Sequence, residues 1–183
     1  VVMGASKSIR EAIITGWQSK PDTLDSCHFG AMRGIDAYKK HSASVCVGRM
    51  EPPVEVIDAY AACLSWDDER YEAPFNVYGN GFADADGTRP LFQDKIGREI
   101  RLRDGGTATI QTPVVPGQWG RLIQTQTREE EINQFIGRLR PVYRSDDERP
   151  VCYVISSIIP EHLILDDVVS LYDIIGTDGC TNK

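Results

Sequence analysis

The sequence withholds the marks of several large protein classes. No apolar run approaches the ~20 residues of a membrane-spanning helix, and no leader-like segment is visible, so a cytoplasmic protein without a membrane partner is expected. No CxxC pair is present. The five cysteines, Cys27, Cys46, Cys63, Cys152 and Cys180, are odd in number and widely spaced. That pattern suits reduced core thiols better than disulfides or a zinc site. Positive charge is in deficit: 20 Lys and Arg against 27 Asp and Glu give a formal net charge of -7. That balance argues against wholesale electrostatic binding of nucleic acid, though not against a local basic path. Low-complexity tracts are missing, and so is any nucleophile–base or metal-ligand spacing. Glu161, His162, Asp166 and Asp167 read as a solvated acidic turn.

What is present suits one domain with a substantial core, since 183 residues carry an ordinary 41% hydrophobic fraction. Val1 is not a start methionine, and Val1-Val2-Met3 already reads as a strand. A fragment of a longer chain is therefore expected. Gly4 to Lys7 then turns, and Ser8 with Glu11 forms a capping box for a helix to about Gln18, with Ile9, Ala12 and Ile13 inward. A phosphate loop would need GxxxxGK[ST]. Ser6 precedes Lys7 here and Val1 takes the place of the first glycine, which leaves an ordinary β-turn-α unit with a solvated lysine. Ser44 to Gly48 is near-continuously apolar, as in a parallel strand covered on both faces. Pro52-Pro53 opens a helix over Val54–Leu64.

Between residues 65 and 126 the helical periodicity is lost, and a β-rich insertion is expected. Arg98–Arg103 and Thr107–Thr112 alternate about Asp104-Gly105-Gly106, which is a hairpin carrying Arg98, Arg101 and Arg103. Those arginines suit either a nucleic-acid or partner surface or a solvated face. Arg121–Thr125 reads as a further strand, Val151–Ile155 as a buried one, and Ile158–Ile175 as a last strand or helix before a frayed tail. Strands and helices alternating through short connections argue for an α/β domain around a mostly parallel sheet flanked by helices.

The best-punctuated stretch runs from Thr127 to Pro141. Thr127 and Glu130 stand at capping-box spacing, and Glu129, Glu130 and Glu131 suit the positive end of a helix dipole, as Arg138 and Arg140 suit the other. Pro141 disfavours a helical Arg140 and so ends the helix. Ile132, Phe135, Ile136 and Leu139 make one apolar face. Gln134 and Arg138 stand on another, beside the bare backbone of Gly137, which is more than a buried helix requires.

Gln134-Phe135-Ile136-Gly137-Arg138-Leu139-Arg140 resembles motif VI of superfamily 2 helicases and translocases, Q/H-x-x-G-R-x-x-R. Arg33-Gly34-Ile35-Asp36 resembles motif V, R-G-x-D, with His28 where that motif often has threonine. Val1 to Ser8 is similar to motif IV. In this order the three resemble the second, C-terminal RecA-like domain of such an enzyme, from Val1 to about Ile155 apart from the insertion, and the phage- or plasmid-type proteins in particular. The resemblance implies a RecA-like, P-loop NTPase type of fold. Arg138 would be an arginine finger with Arg140 beside it. A guanidinium suits that task because it stays charged and grips phosphate oxygens bidentately. Gly34, Asp36, Gln134 and Gly137 would face nucleotide, and Ser6, Lys7, His28 and Arg33 would touch a nucleic-acid backbone, DNA before RNA. ATP and Mg2+ would be held mainly by an N-terminal RecA-like domain, because this chain has neither a phosphate loop nor a D-E-x-x box. It departs from the pattern in the long stretch between motifs V and VI, and in Arg140 falling one residue early, which leaves Arg144 as an alternative second arginine.

Plainer readings stand beside these: Arg138 as a dipole-satisfying arginine, Asp36 as a turn aspartate, and His28 as a partly buried histidine. An alternative function is a non-catalytic α/β interaction module of a mobile-element replication complex. That reading expects Arg138 and Asp36 far apart.

Overall fold

The structure is a computed structural model, and it describes residues 1–17, 19–32, 34–69, 94–115, 117–170 and 173. Arg33, Cys180, the first part of the expected insertion (70–93) and the expected tail (176–183) lie outside the described residues. Seven strands are described: β1 (Val2–Ala5), β2 (Asp25–His28), β3 (Ala43–Val47), β4 (Asp94–Leu102), β5 (Thr107–Val114), β6 (Val151–Ile155) and β7 (Ile164–Leu165). Three α-helices accompany them: α1 (Lys7–Gly16), α2 (Val54–Leu64) and α3 (Gln118–Gly137). A four-stranded, fully parallel sheet has the order β2-β1-β3-β6. A smaller sheet, β5-β4-β7, joins the antiparallel β4–β5 hairpin to the short β7, which runs parallel to β4.

One face of the parallel sheet carries the core. Val2, Cys27 and Cys46 meet Ile132, Phe135 and Leu139 of α3, together with Phe29, Met32 and Ile158. Phe29 and Phe135 pack edge to face, with centroids 6.3 Å apart. Position 4 has to be glycine, because a Cβ there would stand 2.7 Å from the Phe135 ring. α1 lies on the other face, where Arg10 Nε donates to Ser26 Oγ at 3.1 Å.

Several local expectations are corrected. α3 begins at Gln118 rather than Thr127, so Arg121–Thr125 is helical and the β-structure of that region ends at Val114. Thr127 caps nothing: its hydroxyl donates to Ile123 O one turn back, at 3.0 Å. The helix starts instead after Gly117, at φ 82. Its buried stripe includes Gln124, Arg128, Glu129 and Glu131, which breaks the apolar period that marks a helix in sequence. These polar groups are buried because they are partnered. Gln124 accepts from Val115 N at 3.0 Å and donates to Glu51 at 2.9 Å. Arg128 donates to Pro113 O at 2.6 Å.

At the other end of the chain, Gly4 and Ala5 belong to β1 and Ser6 caps α1 by accepting from Ile9 N at 3.4 Å, so Ser8 is not the cap. Ile9 and Ala12 are exposed, and α1 buries no residue fully. β6 is an edge strand with Val151, Tyr153 and Ile155 about half exposed, and β3 is buried on alternate residues, so neither is covered on both faces. Ile158 and Ile159 are core residues, and among the described residues of the following stretch Ile164–Leu165 form a strand. The hairpin arginines face no open surface at Arg98, which is 18% exposed and pairs with Glu129 at 2.6 Å. Arg103 pairs with Asp166 at 2.5 Å, which gives the acidic turn its partner.

Candidate functional site

The loop after β2 is built to return the chain beside α3. Phe29 extends the ladder by donating to Ala5 O at 2.9 Å, and Phe29 and Met32 anchor the loop in the core. Gly30 and Gly34 take φ of 84 and 77, a left-handed backbone that favours glycine. Gly30 N donates to Glu131 Oε1 at 2.5 Å, and this buried carboxylate pins the loop to α3. After Asp36 a 3-10 turn, Ala37–Lys40, leads to His41 at the N-terminal ends of the strands. There the His41 ring meets Asp25 at 2.8 Å and the Val1 ammonium at 3.2 Å.

From the other side, α3 ends at Gly137, and Arg140 adopts φ 53 and ψ 47 before the 3-10 turn Pro141–Tyr143. Arg144 then locks the two segments together. Its Nε donates to Leu139 O at 3.0 Å, and its Nη2 donates to His41 O at 2.9 Å and to Lys39 O. The result is a contact between residues 104 positions apart: Asp36 Oδ1 accepts from Arg140 Nη2 at 3.1 Å and Nε at 3.3 Å. Asp36 Oδ2 takes Lys39 Nζ at 2.8 Å. Lys39 first, and Arg140 after it, hold the Asp36 carboxyl below the usual carboxylate range. Asp36, Lys39, Arg140, Tyr143 and Arg144 line an open depression of about 350 Å³.

The residues singled out in the sequence divide into groups. Asp36 and Arg140 are brought together, and Arg144, the alternative second arginine, is committed to backbone carbonyls. Arg138 does not line the depression. It is half-buried, its Nε is buried, and no partner reaches that atom among the described residues. Gln134 is half-buried, while Gly34 and Gly137 are exposed with nothing near a would-be Cβ. Ser6, Lys7 and His28 gather elsewhere, at the C-terminal ends of β1 and β2, where Ala5 and His28 are in register. Lys7 is exposed, His28 is half-buried, and the Ser6 hydroxyl is occupied as the α1 cap.

Sequence reasoning missed Lys39, Glu131 and Tyr143 as parts of this arrangement, and it offered Arg144 only as a second motif arginine rather than as the clamp on backbone carbonyls. Lys39 stands three residues after Asp36, a spacing that signals a pair on a helical turn. Glu131 carries no such signal, because its partner is a backbone amide 101 residues away. Burial suppresses two of the thiols, pushing Cys27 up to about 11 and Cys46 up to about 12, while Cys63 is exposed. Among the described residues no group of three or more His, Cys, Asp or Glu could hold a metal ion, and no helix is long and apolar enough to cross a membrane. Set against known proteins, the chain matches no family model, no curated protein and no solved structure.

Proposed function

We propose that this chain is the second, RecA-like motor domain of an ATP-dependent superfamily 2 helicase or translocase of phage or plasmid type. One observation carries the reading: Asp36 of the R-G-x-D stretch is joined to Arg140 of the Q-x-x-G-R-x-R stretch by hydrogen bonds of 3.1 and 3.3 Å. A nucleotide-facing edge assembled from both stretches requires such a juxtaposition. The non-catalytic interaction module expects Arg138 and Asp36 far apart, and Arg138 does not line the depression that holds Asp36; what favours the motor-domain reading is the Asp36–Arg140 pair alone.

Phosphoryl transfer is catalysed chiefly by positioning and by stabilising charge, so an arginine delivered from a neighbouring domain suffices as this domain's contribution. Arg138 is the finger in this reading; it is half-buried, and its Nε has no hydrogen-bond partner among the described residues. Arg140 is held by Asp36 to order the edge beside it. ATP and Mg2+ sit mainly on a first motor domain outside this chain. Ser6, Lys7 and His28, at the opposite strand ends, contact a nucleic-acid backbone, DNA in preference to RNA, and Arg33 is assigned to the same contact by the motif resemblance alone. With a net charge of -7, that contact has to be local.

The test uses a polypeptide joining this chain to a first motor domain. Arg138→Ala is expected to lower nucleic-acid-stimulated ATP hydrolysis on the order of 10³-fold while circular dichroism and melting temperature stay unchanged. Retained turnover removes the finger assignment. The chain alone is expected not to hydrolyse ATP. A rate in the isolated chain that Lys7→Ala abolishes would instead establish a self-contained phosphate-loop enzyme.

A further inference from the structure

Beside the Asp36–Arg140 pair stands an aromatic ring that the fold leaves largely exposed. Tyr143 is 79% exposed and its neighbour Val142 87% exposed, both on the turn that follows Arg140. Arg140 is the one non-glycine residue with positive φ among the described residues. Such strained backbone concentrates where a ligand is held. This conformation sets the guanidinium 5.9 Å from the Tyr143 ring centroid while the same group grips Asp36. The depression they share is lined by three cations, Lys39, Arg140 and Arg144, against the single carboxylate of Asp36. That local excess of positive charge lies in a chain of net charge -7. A ligand matched to the surface is an anion that also carries a planar ring, which describes a nucleotide.

We propose that Tyr143 is the stacking platform for the base of a nucleotide whose phosphates lie toward Lys39 and Arg140. The proposal rests on the reading of the Asp36–Arg140 edge as nucleotide-facing, and it adds a base subsite and a substrate class to it. An exposed ring recognises a π-face and not the exocyclic groups of a base. Adenine and guanine nucleotides are therefore accepted alike.

The experiment is an NMR titration of the 183-residue chain with ADP, GDP and pyrophosphate, following the Tyr143 ring protons and the Arg140 Nε–H. Tyr143→Phe assigns the ring signals. Both diphosphates are expected to shift the ring upfield and to move Arg140, and pyrophosphate is expected to move Arg140 alone. Tyr143→Ala is expected to weaken ADP about tenfold with pyrophosphate unchanged, and Tyr143→Phe to bind as the parent does. Movement of Arg140 with a stationary ring, or an unaltered ADP affinity in Tyr143→Ala, overturns the stacking role and leaves the nucleotide edge standing. No response of either group to ADP at 10 mM, a concentration on the order of ten times a millimolar dissociation constant, overturns the base subsite, and the same silence in the polypeptide joined to a first motor domain overturns the nucleotide-facing edge as well.

Discussion

Asp36 is the residue on which the proposed edge turns, and its protonation decides whether the edge is assembled. Two cations hold its carboxyl below the usual value of 3.8, Lys39 contributing more than Arg140. A carboxylate whose folded value is depressed stabilises the fold above its unfolded value, and that contribution is lost as pH falls through the folded one. The pairs with Lys39 and Arg140 are therefore complete at neutral pH and persist until the pH drops below 3.8. Asp36 is about half exposed, so solvent screens the pairs and their value lies in ordering Arg140 rather than in stability. A carbonyl-carbon NMR titration of Asp36 is expected to give a midpoint below 3.8 in the parent, moving upward in Lys39→Ala and less so in Arg140→Ala. A midpoint at 3.8 or above in the parent would show the pairs to be absent in solution. At this scale the sequence was partly legible. The motif resemblance named both Asp36 and Arg140, whereas Tyr143 is an exposed aromatic whose meaning depends on a neighbour folded against it.

The element that organises the site is α3, and its two ends were unequally readable. The C-terminal half has an apolar stripe, Ile132, Phe135 and Leu139, that appears in the core as the spacing predicts. The N-terminal half hid itself, Arg121–Thr125 reading as a strand, because its buried Gln124 and Arg128 are polar and their burial depends on partners from β5 and the loop after β3. Glu131 shows the same principle with a consequence for the site. It holds Gly30 N at 2.5 Å, and so fixes where the loop bearing Asp36 begins. Removing it leaves a backbone donor unsatisfied in a part-buried place, at a cost of about 1–3 kcal/mol. Glu131→Ala is expected to lose about that much in urea unfolding and to broaden the amide signals of the loop after β2. Glu131→Gln keeps an acceptor oxygen in the same position and should recover most of the loss. Equal destabilisation by the two variants would mean that the carboxylate charge, rather than this hydrogen bond, is what the fold uses.

Across the whole molecule, the question is whether the hairpin sheet is an appendage or part of the body. Composition and periodicity marked residues 65–126 as a β-rich insertion but could not say how its β4–β5 hairpin sits, because the groups that seat it are far apart in sequence and look like ordinary surface charges. In the fold Arg98 of β4 reaches Glu129 of α3 at 2.6 Å, and Glu129 is 4% exposed at its side chain. Thr112 of β5 donates to Ser157 O at 3.2 Å, just beyond the end of β6. Polar pairs therefore weld the smaller sheet to α3, whose C-terminal end leads into Arg138 and Arg140, and to the segment after β6. A buried pair deprived of one partner costs more than the pair contributes, because a charge is left desolvated. Arg98→Ala is accordingly expected to destabilise the entire chain by about 2–4 kcal/mol, less than for an isolated pair because Arg128 stays near Glu129. The double variant Arg98→Met with Glu129→Gln removes the orphaned charge and should restore most of that stability. Both are read from the melting of the parallel sheet's amide signals. If those signals melt as in the parent while only the β4–β5 signals are lost early in Arg98→Ala, the hairpin is a separable attachment. The arginine edge then does not depend on it.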